Sequence, residues 1–111
     1  MPVLFNNKTQ AKELIPGIKA KIATTEKLMT LISEISFGIQ SEPLPMHSHP
    51  AEQTTYILEG KLIIFIEGEE PQTLESGDMY YVESNVPHTI QSLSEVIRVI
   101  ESFSPLRPEF L

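Results

Sequence analysis

His47 and His49 are separated by one residue, in a stretch that leads through Gln53 into an apolar run ending at Glu59-Gly60. Residues i and i+2 of an extended segment point to the same face. The two imidazoles therefore converge on one point, and a metal ion is the usual reason for such convergence. The third histidine, His88, follows Pro87 roughly forty residues later. Neutral imidazole suits zinc, iron, nickel and copper, and an amide oxygen such as that of Gln53 can complete the set. A lone histidine is an ordinary surface or core residue. All three histidines of the chain falling in such positions point to a metal site made of His47, His49, Gln53 and His88.

A carboxylate near the end of the chain offers a second kind of chemistry. In residues 95–103, Ile97, Val99, Glu101 and Phe103 share one strand face, and Val96, Arg98, Ile100 and Ser102 the other. If the first face looks inward, Glu101 stands among apolar neighbours, and burial raises a carboxyl pKa toward the range useful to a general acid or base. The alternative is that Glu101 lies near an open mouth, solvated or paired with Arg107.

Positioning these side chains requires strands. Residues 28–37 alternate, with Met29, Leu31, Ser33, Ile35 and Phe37 as the mostly apolar set, which predicts a strand with one buried face. Residues 38–45 form a loop that Pro43 and Pro45 keep extended, and it leads directly to the histidines. Residues 54–58 read as a strand, Glu59-Gly60 as a two-residue turn, and residues 61–67 as the returning, central strand, apolar on both sides. Short strands follow at 72–74, 79–82, 88–92 and 95–103, divided by Gly, Pro and Asn turns. At the start of the chain, residues 9–14 suggest one helical turn and residues 18–25 an edge strand. Eight or nine short strands and almost no helix predict an all-β sandwich or barrel.

The 111 residues fit one domain, read as an N-terminal strand or extension over 1–27, a barrel core over 28–105 and a tail over 106–111. Eight basic against fifteen acidic residues, a net charge of −7, argue against nucleic-acid binding. No apolar run is long enough to span a bilayer, and no secretory pattern opens the chain. Cysteine is absent, which excludes disulfides, thiolate zinc sites and thiol catalysis. The cytoplasm is the expected compartment. A chain this small gains from pairing, and the apolar faces of residues 61–67 with the extended N-terminal segment predict a homodimer.

The stretch His47-Ser48-His49 to Gln53 and Gly60 resembles the first motif of the cupins, and Gly77-Asp78 through Pro87-His88 resembles the second. The resemblance covers about residues 28–105 and implies a double-stranded β-helix, a jelly-roll barrel with a divalent transition metal inside (nickel, zinc, iron or manganese). Gln53 stands where the family carries a glutamate ligand. Glu52 has one residue too few after His49 and would face the other way. The tail from Glu101 through Phe103-Ser104-Pro105 to Arg107 and Phe110-Leu111 is similar to that of the small single-domain cupins of the KdgF type. Those proteins convert 4,5-unsaturated uronates from pectin or alginate breakdown to linear keto sugars. The resemblance implies metal ligands at His47, His49, Gln53 and His88, Glu101 as acid/base in place of an Asp, and Arg107 as partner of a sugar-acid carboxylate. An Arg fork can hold a carboxylate at two points, although Arg107 could equally make a surface ion pair. The expected protein is thus a metal-dependent, isomerase- or lyase-like enzyme acting on a small polar metabolite. The alternatives are a metal-dependent dioxygenase and a non-catalytic cupin that binds or senses a small ligand.

Overall fold

Alternation of apolar and polar side chains sets the faces of every long strand. The computed structural model describes residues 2–111 and contains nine strands with a 3-10 turn near each end. They are β1 (Lys12–Ile15), β2 (Ile18–Thr24), β3 (Met29–Ile35), β4 (Glu52–Glu59), β5 (Lys61–Ile66), β6 (Gln72–Glu75), β7 (Met79–Val82), β8 (His88–Ser92) and β9 (Ile97–Ser104). In β3, Met29, Leu31, Ser33 and Ile35 are buried while Ile32 and Glu34 face out. In β4, Gln53, Thr55 and Ile57 are buried while Glu52, Thr54 and Tyr56 face out.

The strands pair antiparallel into two sheets, one in the order β1-β2-β3-β9-β4-β7 and one in the order β6-β5-β8. The all-β architecture is the one expected from the strand spacing, and the jelly roll the one implied by the cupin resemblance. β5 is the central strand of the smaller sheet, as its two apolar faces require. Two apolar clusters fill the interior. Ile35, Ile57, Leu62, Ile64, Ile97 and Val99 form one, and Ala20, Met29, Leu31, Ala51 and Phe103 the other. Inward polar residues fall between them. Ser33 lies between Leu31 and Ile35 along β3, and Glu101 between Val99 and Phe103 along β9.

The N-terminal segment differs from expectation. The helical turn predicted over residues 9–14 is absent: a 3-10 turn occupies Asn6–Lys8, and Lys12–Ile15 is a strand. The Pro16-Gly17 turn, with Gly17 at φ +94°, folds this segment back so that Lys12 pairs with Ala20 and Glu13 with Lys19. Hairpin pairing thus overrides local helix preference. For the same reason β2 is not an edge strand, since β1 covers its free side. Among the described residues, no helix is long and apolar enough to cross a membrane.

Candidate metal centre

Two loops carry the histidines, and backbone hydrogen bonds staple them together. His47 and His88 form an isolated antiparallel bridge, each N–H donating to the other's carbonyl at 3.0 and 2.9 Å. The Asn85 N–H donates to the His49 carbonyl at 2.8 Å, and the Ser84 hydroxyl to the Pro50 carbonyl at 2.7 Å. Asn85 sits at φ +62°, a conformation that Asn tolerates better than most residues and that turns the chain toward Pro87-His88. The ring centroids of His47, His49 and His88 lie 4.3 to 5.6 Å apart, and one ligand nitrogen from each falls within 4.8 Å of the others.

The protonation pattern of the rings suits a cation. Nδ1 of His49 donates to the Ala51 carbonyl at 2.7 Å, and Nδ1 of His88 to the Val86 carbonyl at 2.8 Å. A carbonyl can only accept, so each Nδ1 carries the proton and each neutral ring keeps a lone pair on Nε2. Both Nε2 atoms are buried and have no hydrogen-bond partner. Orphaned buried polar atoms are costly and rare, and a bound cation would satisfy both at once. Burial pushes the imidazole of His47 down to about 4, with the charges of His88, Arg107 and His49 acting in the same direction. Burial also lowers His88, partly offset by its bond to Val86. Three imidazoles converging on one point are a donor set for a divalent transition metal. His47 stands at the exposed lip of the group, so the site is reachable from solvent.

Gln53 is buried on the inner face of β4, whereas Glu52 beside it faces solvent. The amide nitrogen of Gln53 donates to Thr55 Oγ1 at 3.0 Å and to Glu101 Oε2 at 3.2 Å. Glu101 lies on the inward face of β9, and its other oxygen accepts from Ser33 Oγ at 3.2 Å. Burial raises the Glu101 carboxyl, while the Ser33 bond and the Arg107 charge pull it back. Tyr80, on the inner face of β7, is raised by burial and then by the nearby Glu101 charge.

Arg107 is bonded neither to Glu101 nor to a histidine. Its Nε and Nη2 donate to Glu109 Oε2 at 3.2 and 3.0 Å, and its guanidinium stacks over Phe110 at 4.2 Å and Phe103 at 5.1 Å. Phe103 in turn packs edge-on against His49 at 5.7 Å. The arginine is thus tied to the histidine cluster through one aromatic ring, and its charge reaches His47, His88 and Glu101.

Sequence reasoning missed Ser33 and Thr55. The signal for Ser33 was a polar residue within the otherwise apolar inward set of β3, and for Thr55 the strand parity it shares with Gln53. Tyr80 and Tyr81 alternate across β7, and it is Tyr80 that turns inward while Tyr81 is exposed.

The two packed sheets, the histidine pair before β4 and the third histidine opening β8 define a cupin. The chain belongs to that family, whose cupin domain model matches residues 38–102. It is 35% identical over 109 residues to the pectin degradation protein KdgF of Dickeya dadantii (strain 3937), covering 96% of each chain. Among solved structures, KdgF from Halomonas sp. superposes with a TM-score of 0.82 at 28% identity, over 96% of this chain and 97% of that one. An RmlC-like cupin from Shewanella frigidimarina NCIMB 400 gives a TM-score of 0.83 at 25% identity, over 97% and 94%.

Proposed function

We propose that this cupin is a metal-dependent enzyme that opens 4,5-unsaturated uronates to linear keto sugars. The observation that carries the reading is the inward Glu101 carboxyl, hydrogen-bonded to Gln53, in a fold that brings three histidines together, two of them with buried and unpartnered Nε2 atoms. Full-length similarity to a pectin degradation protein supports the same substrate class. His47, His49 and His88 would hold the ion, with the amide oxygen of Gln53 as the fourth ligand. When bound, a divalent cation supplies Lewis-acid polarisation of a substrate oxygen.

The chain's own residues do the rest. Opening the ring breaks the bond between the ring oxygen and the anomeric carbon. The anomeric hydroxyl becomes an aldehyde and its proton passes to the ring oxygen, leaving an enol. The enol becomes a ketone when a proton leaves that oxygen and one is delivered to the far carbon of the double bond. No atom is gained or lost. Glu101 Oε2 is the group assigned to carry that proton, and a carboxyl raised by burial can both take and return one near neutral pH. Arg107 is assigned to the substrate carboxylate. Its planar fork fits a carboxylate, and two of its donors already hold one oxygen of Glu109, which a substrate carboxylate would replace. Phe103 and Phe110 hold the guanidinium in place from its faces.

The test follows loss of the ultraviolet absorbance of an unsaturated galacturonate. With metal bound, the protein accelerates the loss, Glu101→Gln slows turnover by about 10²–10⁴, and Arg107→Ala acts mainly on KM. A rate no faster than the spontaneous one with metal bound removes the assignment. A cysteine-free chain suits a reducing cytoplasm, and a second copy of this chain is the proposed protein partner.

A further inference from the structure

We infer that Gln53 and Glu101 form one coupled unit, in which the Glu101 carboxylate fixes the Gln53 amide so that its oxygen is the atom offered to the cation. This rests on the reading of His47, His49, Gln53 and His88 as a metal site. Two neighbours decide the orientation of the amide. Its nitrogen has two hydrogens, and both are used, one on Thr55 Oγ1 at 3.0 Å and one on Glu101 Oε2 at 3.2 Å. A hydroxyl such as Thr55 can donate or accept, so Thr55 alone would permit either orientation. An ionised carboxylate only accepts. While ionised, Glu101 therefore rejects the flipped amide, which would set oxygen against oxygen there.

Glu101 is itself held. Ser33 Oγ donates to Oε1 at 3.2 Å, and Ser33 is 1% exposed, with no bond to any other side chain. Register explains the meeting of these residues. Thr55 and Leu31 flank Glu101 on the neighbouring strands β4 and β3, and Gln53 and Ser33 are one inward step away on each. The central strand β9 thus brings a positioning residue from each side onto one carboxylate.

The same contact explains why position 53 carries an amide. A carboxylate there would stand about as close to Glu101 as the amide nitrogen does, and two buried carboxylates at that distance cannot both be charged. The proton needed to keep them together would be held between the two and withdrawn from Glu101's own work. An amide at 53 and a carboxylate at 101 are therefore complementary, and exchanging them as a pair preserves the hydrogen bond with its direction reversed.

The experiment is a double-variant cycle on the full chain, read by calorimetric titration of the metal-free protein with zinc or nickel, without substrate. Glu101→Gln, an isosteric change, replaces an obligatory acceptor with a side chain that can present either its oxygen or its NH₂ group, so the Gln53 amide is no longer fixed. Metal binding is then expected to weaken about 10-fold or more, the size of effect typical of a residue that orients a ligand. Gln53→Glu alone is expected to lower the melting temperature of the metal-free protein. Gln53→Glu combined with Glu101→Gln is expected to return metal affinity and melting temperature to, or above, those of the parent. Ser33→Ala, which loosens Glu101 without touching the amide, should weaken binding less than Glu101→Gln does. An unchanged affinity in Glu101→Gln, or losses that simply add in the double variant, would overturn the coupling. If Gln53→Glu does not fold alone, rescue of Glu101→Gln by the second change still decides the matter, and an unfolded double variant counts against it. A parent that takes up no metal overturns both the coupling and the metal reading. A full cycle of coupling without uronate turnover removes only the substrate assignment.

Discussion

A histidine that must ligate a metal has to remain neutral, and the surroundings of His47 and His88 favour that form. The unfolded chain takes up protons on His47 and His88 as the pH falls through the ordinary value of 6.5, whereas the folded chain resists until about 4 at His47 and holds His88 below its ordinary value as well. Below 6.5 the unfolded state therefore binds more protons, and the contribution of these groups to stability is lost as the pH falls. Glu101 works in the opposite sense: its raised carboxyl stabilises the folded state at low pH, and that contribution is lost as the pH rises through its folded value. In the metal-free protein carrying Glu101→Gln, the opposing contribution of Glu101 is gone. His47→Asn in that background should then lose less melting temperature between pH 7 and pH 5 than the background itself, and an equal or larger loss would contradict the ordering. The histidines were legible because they are the chain's only three and their spacing has strand parity. Gln53 was legible over Glu52 for the same reason of parity. Ser33 and Thr55 were not, because a serine or threonine on an inner face looks ordinary until β9 lies between β3 and β4. The Ser33–Glu101 contact joins residues 68 apart, and no local pattern contains it.

At the level of elements, strand boundaries came through wherever alternation was strong and turn residues were unambiguous. β7 and β8 have the predicted limits, and β3, β4 and β9 differ only at their ends. The failure at residues 9–14 has a plain cause. Lys12 and Glu13 carry no strand signal of their own, and only pairing to β2 makes them extended. The turn between β4 and β5 is the opposite case, since the Glu59-Gly60 signal is local and its tertiary reason is not. Gly60 has φ +95°, and a Cβ there would sit 2.6 Å from the Val96 carbonyl oxygen and 3.1 Å from the Ile97 Cα. Backbone on both sides leaves nothing to move cheaply. Gly60→Ala is therefore expected to cost about 2 kcal/mol or more, or roughly 8 °C in melting temperature. Gly68→Ala, where an added Cβ would meet nothing within 4 Å, pays only for its φ of +87° and should cost less. Equal melting temperatures for the two variants would show that the approach of Val96 is not what selects glycine at position 60.

For the whole molecule, the outer face of the larger sheet is what most needs a partner. Ile32, Ile100, Tyr56 and Met79 lie directly opposite one another across β3, β9, β4 and β7, forming one apolar row over four strands. Ile32 is 44% and Met79 65% exposed, and Tyr81, in the next row beside Thr54, is 70% exposed. Single exposed apolar residues are ordinary, but a contiguous row is the kind of surface that marks an interface. A net charge of −7 opposes indiscriminate association, so a specific contact must match charges as well as bury the row. A two-fold axis through the middle of the row is the arrangement expected to bury it, with β3 of one copy over β7 of the other. Such an interface is isologous, every contact occurring twice. Light scattering on the eluting protein should then give about twice the 12.5 kDa chain mass, and the melting temperature should rise with protein concentration. Ile32→Glu together with Met79→Glu should give a monomer. The histidines lie on the inner side, beyond the polar residues of β4 and β9, so that monomer should still take up metal. A parent that elutes as a monomer at every concentration, or a doubly substituted protein that stays dimeric, would exclude this face as the contact.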